Sequence, residues 1–159
     1  MIYIVVILVL IIVVAIVANG IEDYNKCQLD FHNSYSNLHL PLITLENNNK
    51  NFNFLVDTGA NLSLLNSDYI NDFEYTKSKT TGTIFGMEGK VQETSYVDVL
   101  LQGNSHLFAG HFQVVDLKTA FGRIKDEYGI EIHGILGNDF LKKYNCIINY
   151  PNLNLKYGK

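Results

Sequence analysis

The hydrophobic pattern divides the chain into three parts. Residues 1–18 (MIYIVVILVLIIVVAIVA) form an unbroken apolar run without charge or proline. As an α-helix, which rises about 1.5 Å per residue, this run spans roughly 27 Å, close to the apolar thickness of a bilayer. The run therefore predicts a transmembrane anchor or signal-anchor. Residues 18–20 (Ala-Asn-Gly) leave open the alternative of a cleaved signal peptide.

The second part, residues 19–37, is polar and aperiodic and predicts a juxtamembrane linker. From residue 38 short β-type segments alternate with turn residues, so residues 38–159 form the predicted folded domain. Its predicted strands cover residues 40–45, 52–56, 62–65, 80–85, 90–101, 107–115 and 130–136, followed by a hairpin over 146–157. The alternation of apolar and polar positions over 51–56 is typical of a half-buried strand.

Three segments depart from the β pattern. Asn66 can cap one helical turn that runs to residue 73, and Asn138 can cap another short helix. Over 116–128 the apolar residues follow helical spacing, and Gly129 ends the segment. The sequence therefore predicts a mostly-β, single-lobe domain with two or three short helices.

Charge and residue composition reduce the number of function classes that need to be considered. The net charge of −4 is mild and no basic cluster occurs, which argues against nucleic acid as a partner. The five histidines show no metal-ligand spacing, so neither a metal nor another cofactor is predicted. Cys27 and Cys146 allow one disulfide or two free thiols, and two thiols is the preferred interpretation.

The strongest candidate for chemistry is the segment 54–60, Phe-Leu-Val-Asp-Thr-Gly-Ala. Asp57 follows an apolar strand directly, and a buried carboxylate is costly unless it is hydrogen-bonded or has a function. Gly59 lets backbone amides approach the carboxylate, and Thr58 adds a hydroxyl group. Such a loop can hold one carboxylate rigidly at the surface, although an ordinary Asp-Thr-Gly turn is the alternative on the tripeptide alone.

A second apolar strand, Ile135-Leu136-Gly137, leads into a short helix, and a glycine-bounded hairpin tip lies between the two motifs. In this order the features resemble the retropepsin-like aspartic proteases, including the bacterial membrane-associated members, over about residues 40–157. The resemblance implies an acid-protease β-barrel in which Ile135, Leu136 and Gly137 form the strand that supports the active-site loop. It also implies the site residues: catalytic Asp57, Thr58 and Gly59, with Ala60 and the flap residues Gly86, Met87, Glu88 and Gly89 on the substrate.

The number of Asp-Thr-Gly loops sets the expected assembly. Two-lobed relatives carry two such loops in one longer chain, whereas this sequence has one. The resemblance therefore implies a homodimer that hydrolyses polypeptides, with interfaces built by the terminal strands and Asp57 beside its own copy. The bilayer is the other expected partner, through residues 1–18, with the domain on the exported side. The alternative is an inactive, dimeric peptide-binding or scaffolding domain of the same fold.

Overall fold

The computed structural model describes residues 6–7, 9–17, 27–85, 91–104 and 106–158. Part of the predicted anchor lies outside these ranges, and its described residues, 6–7 and 9–17, are helical with exposed side chains. Within the described ranges, no helix has both the length and the apolar character required to cross a bilayer.

Short strands dominate the described part of the chain. The strands are β1 (Gln28–Asp30), β2 (Leu42–Asn47), β3 (Lys50–Val56), β4 (Leu64–Asn66), β5 (Tyr75–Phe85), β6 (Val91–Gly103), β7 (His106–Val115), β8 (Gly134–Leu136), β9 (Ile147–Asn149) and β10 (Asn154–Lys156). The α-helices are α1 (His32–Leu38), α2 (Lys118–Tyr128) and α3 (Asn138–Lys143), and a 3₁₀ helix covers Ser67–Asp72. The structure therefore confirms a mostly-β domain with a few short helices.

Two sheets organise these strands. The larger has the order β2-β3-β8-β4-β7-β6-β5, and a pairing between β2 and β6 closes it into a barrel. The smaller joins β1, β10 and β9, in that order. Phe54, Phe108 and Phe112 are fully buried in the barrel core. Leu155 of the small sheet lies in the same core, so the two sheets share one apolar interior.

Local sequence signals account for several elements. Asn48 and Asn49 both take positive φ values, 50° and 60°, in the turn between β2 and β3, a conformation that asparagine tolerates well. Helix α2 ends at Gly129, whose φ of 67° is left-handed. The side chain of Asn66 accepts a hydrogen bond from the Asp68 amide at the start of the 3₁₀ helix. These three signals were read correctly from the sequence.

The linker predicted over 19–37 is wrong for the residues described from 27 onward, because they are folded. Strand β1 pairs antiparallel with β10, and α1 follows it. Leu29 and Phe31 are buried at 3% and 2% exposure. A three-residue strand and a seven-residue helix are too short to show a hydrophobic period, so the polar residues around them hid both elements.

Two further expectations need correction. The strand predicted over 130–136 is reduced to Gly134–Leu136, because the Asn53 amide bonds the His133 ring instead of a backbone carbonyl. Asn138 is the first residue of α3 and Gly137 is its cap position, so Asn138 does not cap this helix.

Cys27 and Cys146 are free thiols, and burial raises the pKa of Cys146 to about 11.

Candidate active site

Asp57 stands where the parallel pair β3 and β8 ends. Val56 and Leu136 are partners in that pair, and the Asp57 amide donates to the Leu136 carbonyl oxygen at 3.1 Å. On its other side β8 pairs antiparallel with β4. Strand β8 therefore passes between the two strands that flank the Asp57 loop. It contains Ile135 and Leu136 of the predicted supporting segment, and Gly137 follows it.

The loop closes on its own carboxylate. The Gly59 amide donates to Asp57 Oδ1 at 2.8 Å, and the Ala60 amide donates to the Asp57 carbonyl oxygen at 3.2 Å. A Cβ atom on Gly59 would lie 3.1 Å from the same Oδ1, so glycine leaves room for this approach. Asp57 is half-buried, whereas Thr58 and Gly59 are exposed. One carboxylate is thus held in a fixed orientation and remains accessible.

Helix α3 supports the loop from behind. The Asn138 amide donates to the Ala60 carbonyl oxygen at 2.8 Å. The side-chain amide of the same residue donates to the Thr58 carbonyl oxygen at 2.8 Å. Gly137 packs so closely that a Cβ atom there would lie 2.5 Å from the Leu62 carbonyl oxygen. The glycine that ends β8 is therefore a steric requirement for the helix to reach the loop.

Ser63 is a supporting residue that the sequence did not reveal. It is 1% exposed, and its hydroxyl donates to Asp139 Oδ1 at 2.6 Å while accepting from the Gly137 amide at 3.1 Å. Asp139 Oδ1 also accepts from the Phe140 amide, at 2.8 Å. Asp139 lies in the first turn of α3, so its carboxylate links this helix to Ser63. The sequence carried no signal for Ser63, because its partners are distant along the chain.

An apolar cluster adjoins the strands that lead to the Asp57 loop. Ile135 is buried with Val115 and Leu117, and the partly buried side chains of Leu55 and Ala60 pack on this cluster. Leu136 points the other way and is fully buried in the main core. The predicted flap residues Gly86, Met87, Glu88 and Gly89 lie outside the described residues. The strands on either side of them, β5 and β6, pair as far as Phe85 and Val91.

The other end of β8 carries a second polar network around His133. The Asn53 amide donates to His133 Nδ1 at 3.0 Å, and the His133 amide donates to the Asn53 carbonyl oxygen at 2.8 Å. Desolvation by burial lowers the pKa of His133, and the negative charge of Glu131 opposes this shift. Lys125 forms an ion pair with Glu131 at 2.8 Å and holds the pKa of that carboxyl below its usual value. These residues hold α2 next to the strands that carry Asp57.

No group of three or more His, Cys, Asp or Glu side chains in the described ranges is arranged to bind a metal ion. The chemically distinctive feature of the described residues is the ordered carboxylate on the Asp-Thr-Gly loop. A barrel in which one strand passes between the two strands flanking such a loop defines the class of aspartic-protease folds.

Comparison with known proteins gives the family. Residues 38–149, more than two thirds of the chain, match the family model of the retroviral aspartyl protease, and the chain belongs to this family. The chain is also 33% identical over 98 residues to the "Retrovirus-related Pol polyprotein from transposon 412" of Drosophila melanogaster. That similarity covers 60% of this chain and 7% of the polyprotein.

Proposed function

We propose that this protein is a membrane-anchored, homodimeric aspartic endopeptidase. The observation that carries the proposal is the Asp57 loop, whose carboxylate is fixed by the Gly59 amide at 2.8 Å inside the region that matches the protease family. A single chain supplies one such loop, so the second carboxylate comes from another copy around a two-fold axis.

Two carboxylates a few ångströms apart cannot both ionise at low cost, so the Asp57 pair shares one proton and titrates as a unit. The ionised member removes a proton from a water molecule held between the two acids, and the resulting hydroxide attacks the peptide carbonyl carbon. The protonated member donates its proton to the carbonyl oxygen as the tetrahedral intermediate forms. Collapse of the intermediate then breaks the C–N bond. The leaving nitrogen takes the proton that the first acid removed from water, and a hydroxyl of the intermediate returns a proton to the second acid.

Substrate contacts extend from the catalytic loop to the hairpin of β5 and β6. In this proposal Ala60 and the flap residues at 86–89 contact the peptide backbone. The partly buried apolar side chains of Leu55 and Ala60, which lie within three residues of Asp57 along the chain, suit an apolar side chain next to the scissile bond. The substrate class is therefore a polypeptide with an apolar residue at the cleavage point.

Residues 1–18 supply the proposed membrane anchor, with the protease domain on the exported side. The support is the uninterrupted apolar run, whose described residues are helical and exposed. Confinement to one membrane raises the effective concentration of the subunits and favours dimerisation. Placement among the bacterial membrane-associated members of the family stays a prediction.

Replacement of the catalytic acid tests the proposal. Asp57→Asn removes the shared proton chemistry, so we expect cleavage of a peptide library by the full chain to fall by at least about 10³-fold. Circular dichroism should show an unchanged fold, since Asp57 is half-buried and its amide contacts are retained. Asp126→Asn, at an exposed acid on α2, is the matched control and should keep full activity.

Full turnover by Asp57→Asn would rule out the protease proposal. Peptide binding by the wild type without any cleavage would instead favour the inactive scaffolding domain of the same fold.

A further inference from the structure

The outer half of the β5–β6 pair continues beyond the ladder that joins β6 to the rest of the barrel. Pairing between β6 and β7 ends at Tyr96 and Gln113. Beyond that point residues 91–95 of β6 pair with residues 81–85 of β5. We call this paired segment the distal hairpin. A two-stranded hairpin is marginally stable on its own, so its attachment to the barrel sets its orientation.

A bulge separates the distal hairpin from the rest of the sheet. Lys77 pairs with Val97 and Thr81 pairs with Ser95, so three residues of β5, 78–80, face one residue of β6. A bulge bends the strand that carries it and interrupts the ladder of backbone hydrogen bonds. The ladder therefore holds the distal hairpin less firmly than an unbroken sheet would.

Buried side chains join the distal hairpin to the barrel across this weak point. Gln113 of β7 is 2% exposed, and its side-chain amide donates to the Thr94 hydroxyl oxygen. The Thr94 hydroxyl in turn donates to the Gly82 carbonyl oxygen at 3.2 Å. Thr94 is itself buried, so water does not readily replace either bond. This Gln113–Thr94–Gly82 relay connects a barrel strand to both strands of the distal hairpin.

The other end of the relay lies in the support of the Asp57 loop. The backbone amide of Gln113 donates to the Ser63 carbonyl oxygen at 3.0 Å. The Ser63 hydroxyl accepts from the amide of Gly137, which follows β8 beside the loop. Gln113 therefore contacts the loop support through its backbone and the distal hairpin through its side chain.

We infer that Gln113 is a positioning residue that sets the orientation of the distal hairpin relative to the Asp57 loop, through the Thr94 hydroxyl. The inference rests on the proposed function, in which the hairpin and the loop both contact the peptide. A hairpin without the relay would adopt the binding orientation for only a fraction of the time, and apparent affinity falls by that fraction. Once a peptide is bound the hairpin is in place, so the chemical step keeps its rate.

Thr94→Val tests the relay. Valine has nearly the shape of threonine but lacks the hydroxyl, so both hydrogen bonds are lost. For peptide cleavage by the full chain we expect KM to rise about 10-fold, the effect of losing one buried hydrogen bond. The value of kcat should stay within about 2-fold of the wild type, because bound peptide fixes the hairpin. Thr94→Ser keeps the hydroxyl and should return KM to within about 2-fold of the wild type.

A purely structural role would give a different result. Partial unfolding removes active molecules, so it lowers the apparent kcat at unchanged KM. Gln113→Met combined with Thr94→Val replaces both buried partners by apolar groups of similar shape, which can be nearly neutral for stability. This double variant should fold and still show the raised KM. Thr76→Val, at an exposed threonine of β5, is the matched control and should leave KM unchanged.

Hydrogen exchange reports on the distal hairpin without any cleavage. In Thr94→Val the amides of residues 81–85 and 91–95 should exchange about 10-fold faster, whereas those of 97–103 should not change. A wild-type KM in Thr94→Val or in the double variant, a 10-fold raised KM in Thr94→Ser, or unchanged exchange of the distal hairpin would each overturn the inference. The protease proposal fails separately, through unchanged cleavage by Asp57→Asn, and the exchange result stands even then, so the two failures are distinguishable.

Discussion

The two ends of β8 are anchored by different chemistry. At the carboxyl end, Gly137 meets the Ser63 hydroxyl, which in turn donates to Asp139. At the amino end, the buried imidazole of His133 accepts from the Asn53 amide. Strand β8 is only three residues long, so its backbone pairing alone is a weak attachment. Side chains at both ends make up for its length.

The two ends of β8 therefore depend on different properties: the carboxyl end on packing and hydrogen-bond geometry, and the amino end on the protonation state of a side chain. The carboxyl end positions the Asp57 loop through hydrogen bonds and a close glycine contact. The amino end depends on a histidine that must stay neutral, because Nδ1 can accept a hydrogen bond only without a proton. We therefore expect substitutions at the carboxyl end to lower activity directly. A change in pH should alter the free energy of unfolding through the amino end.

The largest effect is expected for Gly137→Ala. Its new Cβ would lie 2.5 Å from the Leu62 carbonyl oxygen and 3.0 Å from the Ala60 carbonyl oxygen. Both are backbone atoms, so α3 and the loop must move apart, and we expect the free energy of unfolding to fall by about 3 kcal/mol. Urea unfolding measures the loss, and peptide cleavage should fall with it because the loop is displaced.

Gly122→Ala is the matched control for this substitution. Gly122 lies inside α2, and a Cβ atom there would meet nothing within 4 Å. Alanine favours a helix over glycine, so this variant should gain about 0.5 kcal/mol and keep full activity. If Gly137→Ala unfolds at the same urea concentration as the wild type, close packing at the carboxyl end of β8 is not what holds the loop.

An intermediate effect is expected for Ser63→Ala. The substitution leaves the Gly137 amide without its hydroxyl acceptor and removes the bond to Asp139, in a site that is 1% exposed. Loss of a buried partner of this kind costs about 2 kcal/mol of unfolding free energy. Ser67→Ala, in the 3₁₀ helix, is the control and should change stability by less than about 0.5 kcal/mol. Equal stabilities of the two variants would contradict the assigned role of Ser63.

The same contrast explains what the sequence could predict. The Asp57 turn and strand β8 could be located from the sequence because an apolar run and a nearby glycine mark each of them, signals contained within a few residues. Helix α2 was found from its spacing and from Gly129. Ser63 was missed because its role exists only once β8 brings Gly137 beside it, 74 residues further along the chain.

Non-local pairing also explains the error at the amino-terminal end of the domain. Strand β1 is defined by its pairing with β10, near the other end of the chain. Its three residues contain no local pattern that predicts this partner. The shortening of β8 has a similar cause. Residues 130–133 alternate apolar and polar side chains as a strand does. The Asn53 amide nevertheless bonds the His133 ring in place of a backbone carbonyl, while the His133 amide donates to the Asn53 carbonyl oxygen.

The smallest effect is the pH dependence that His133 contributes. Its folded pKa is lowered by burial from the ordinary value of 6.5, so below that pH the unfolded chain binds more protons than the folded one. The free energy of unfolding therefore falls as the pH drops from 6.5 towards the folded pKa, and the contribution of His133 is complete above 6.5. The slope is at most about 1.4 kcal/mol per pH unit.

Charged neighbours limit this effect without reversing it. Glu131 Oε2 lies 3.9 Å from His133 Nε2 and favours the protonated ring, whereas Lys125, paired with Glu131, acts against it. Urea unfolding at pH 7.5 and 5.5 measures the difference, which should shrink in His133→Gln because glutamine carries no titrating group. His111→Gln, at an exposed histidine beside Asp98, is the control and should keep the slope associated with His133. If the His133→Gln chain loses as much stability on acidification as the wild type, the amino end of β8 does not titrate. The contrast between the two ends would then be steric alone.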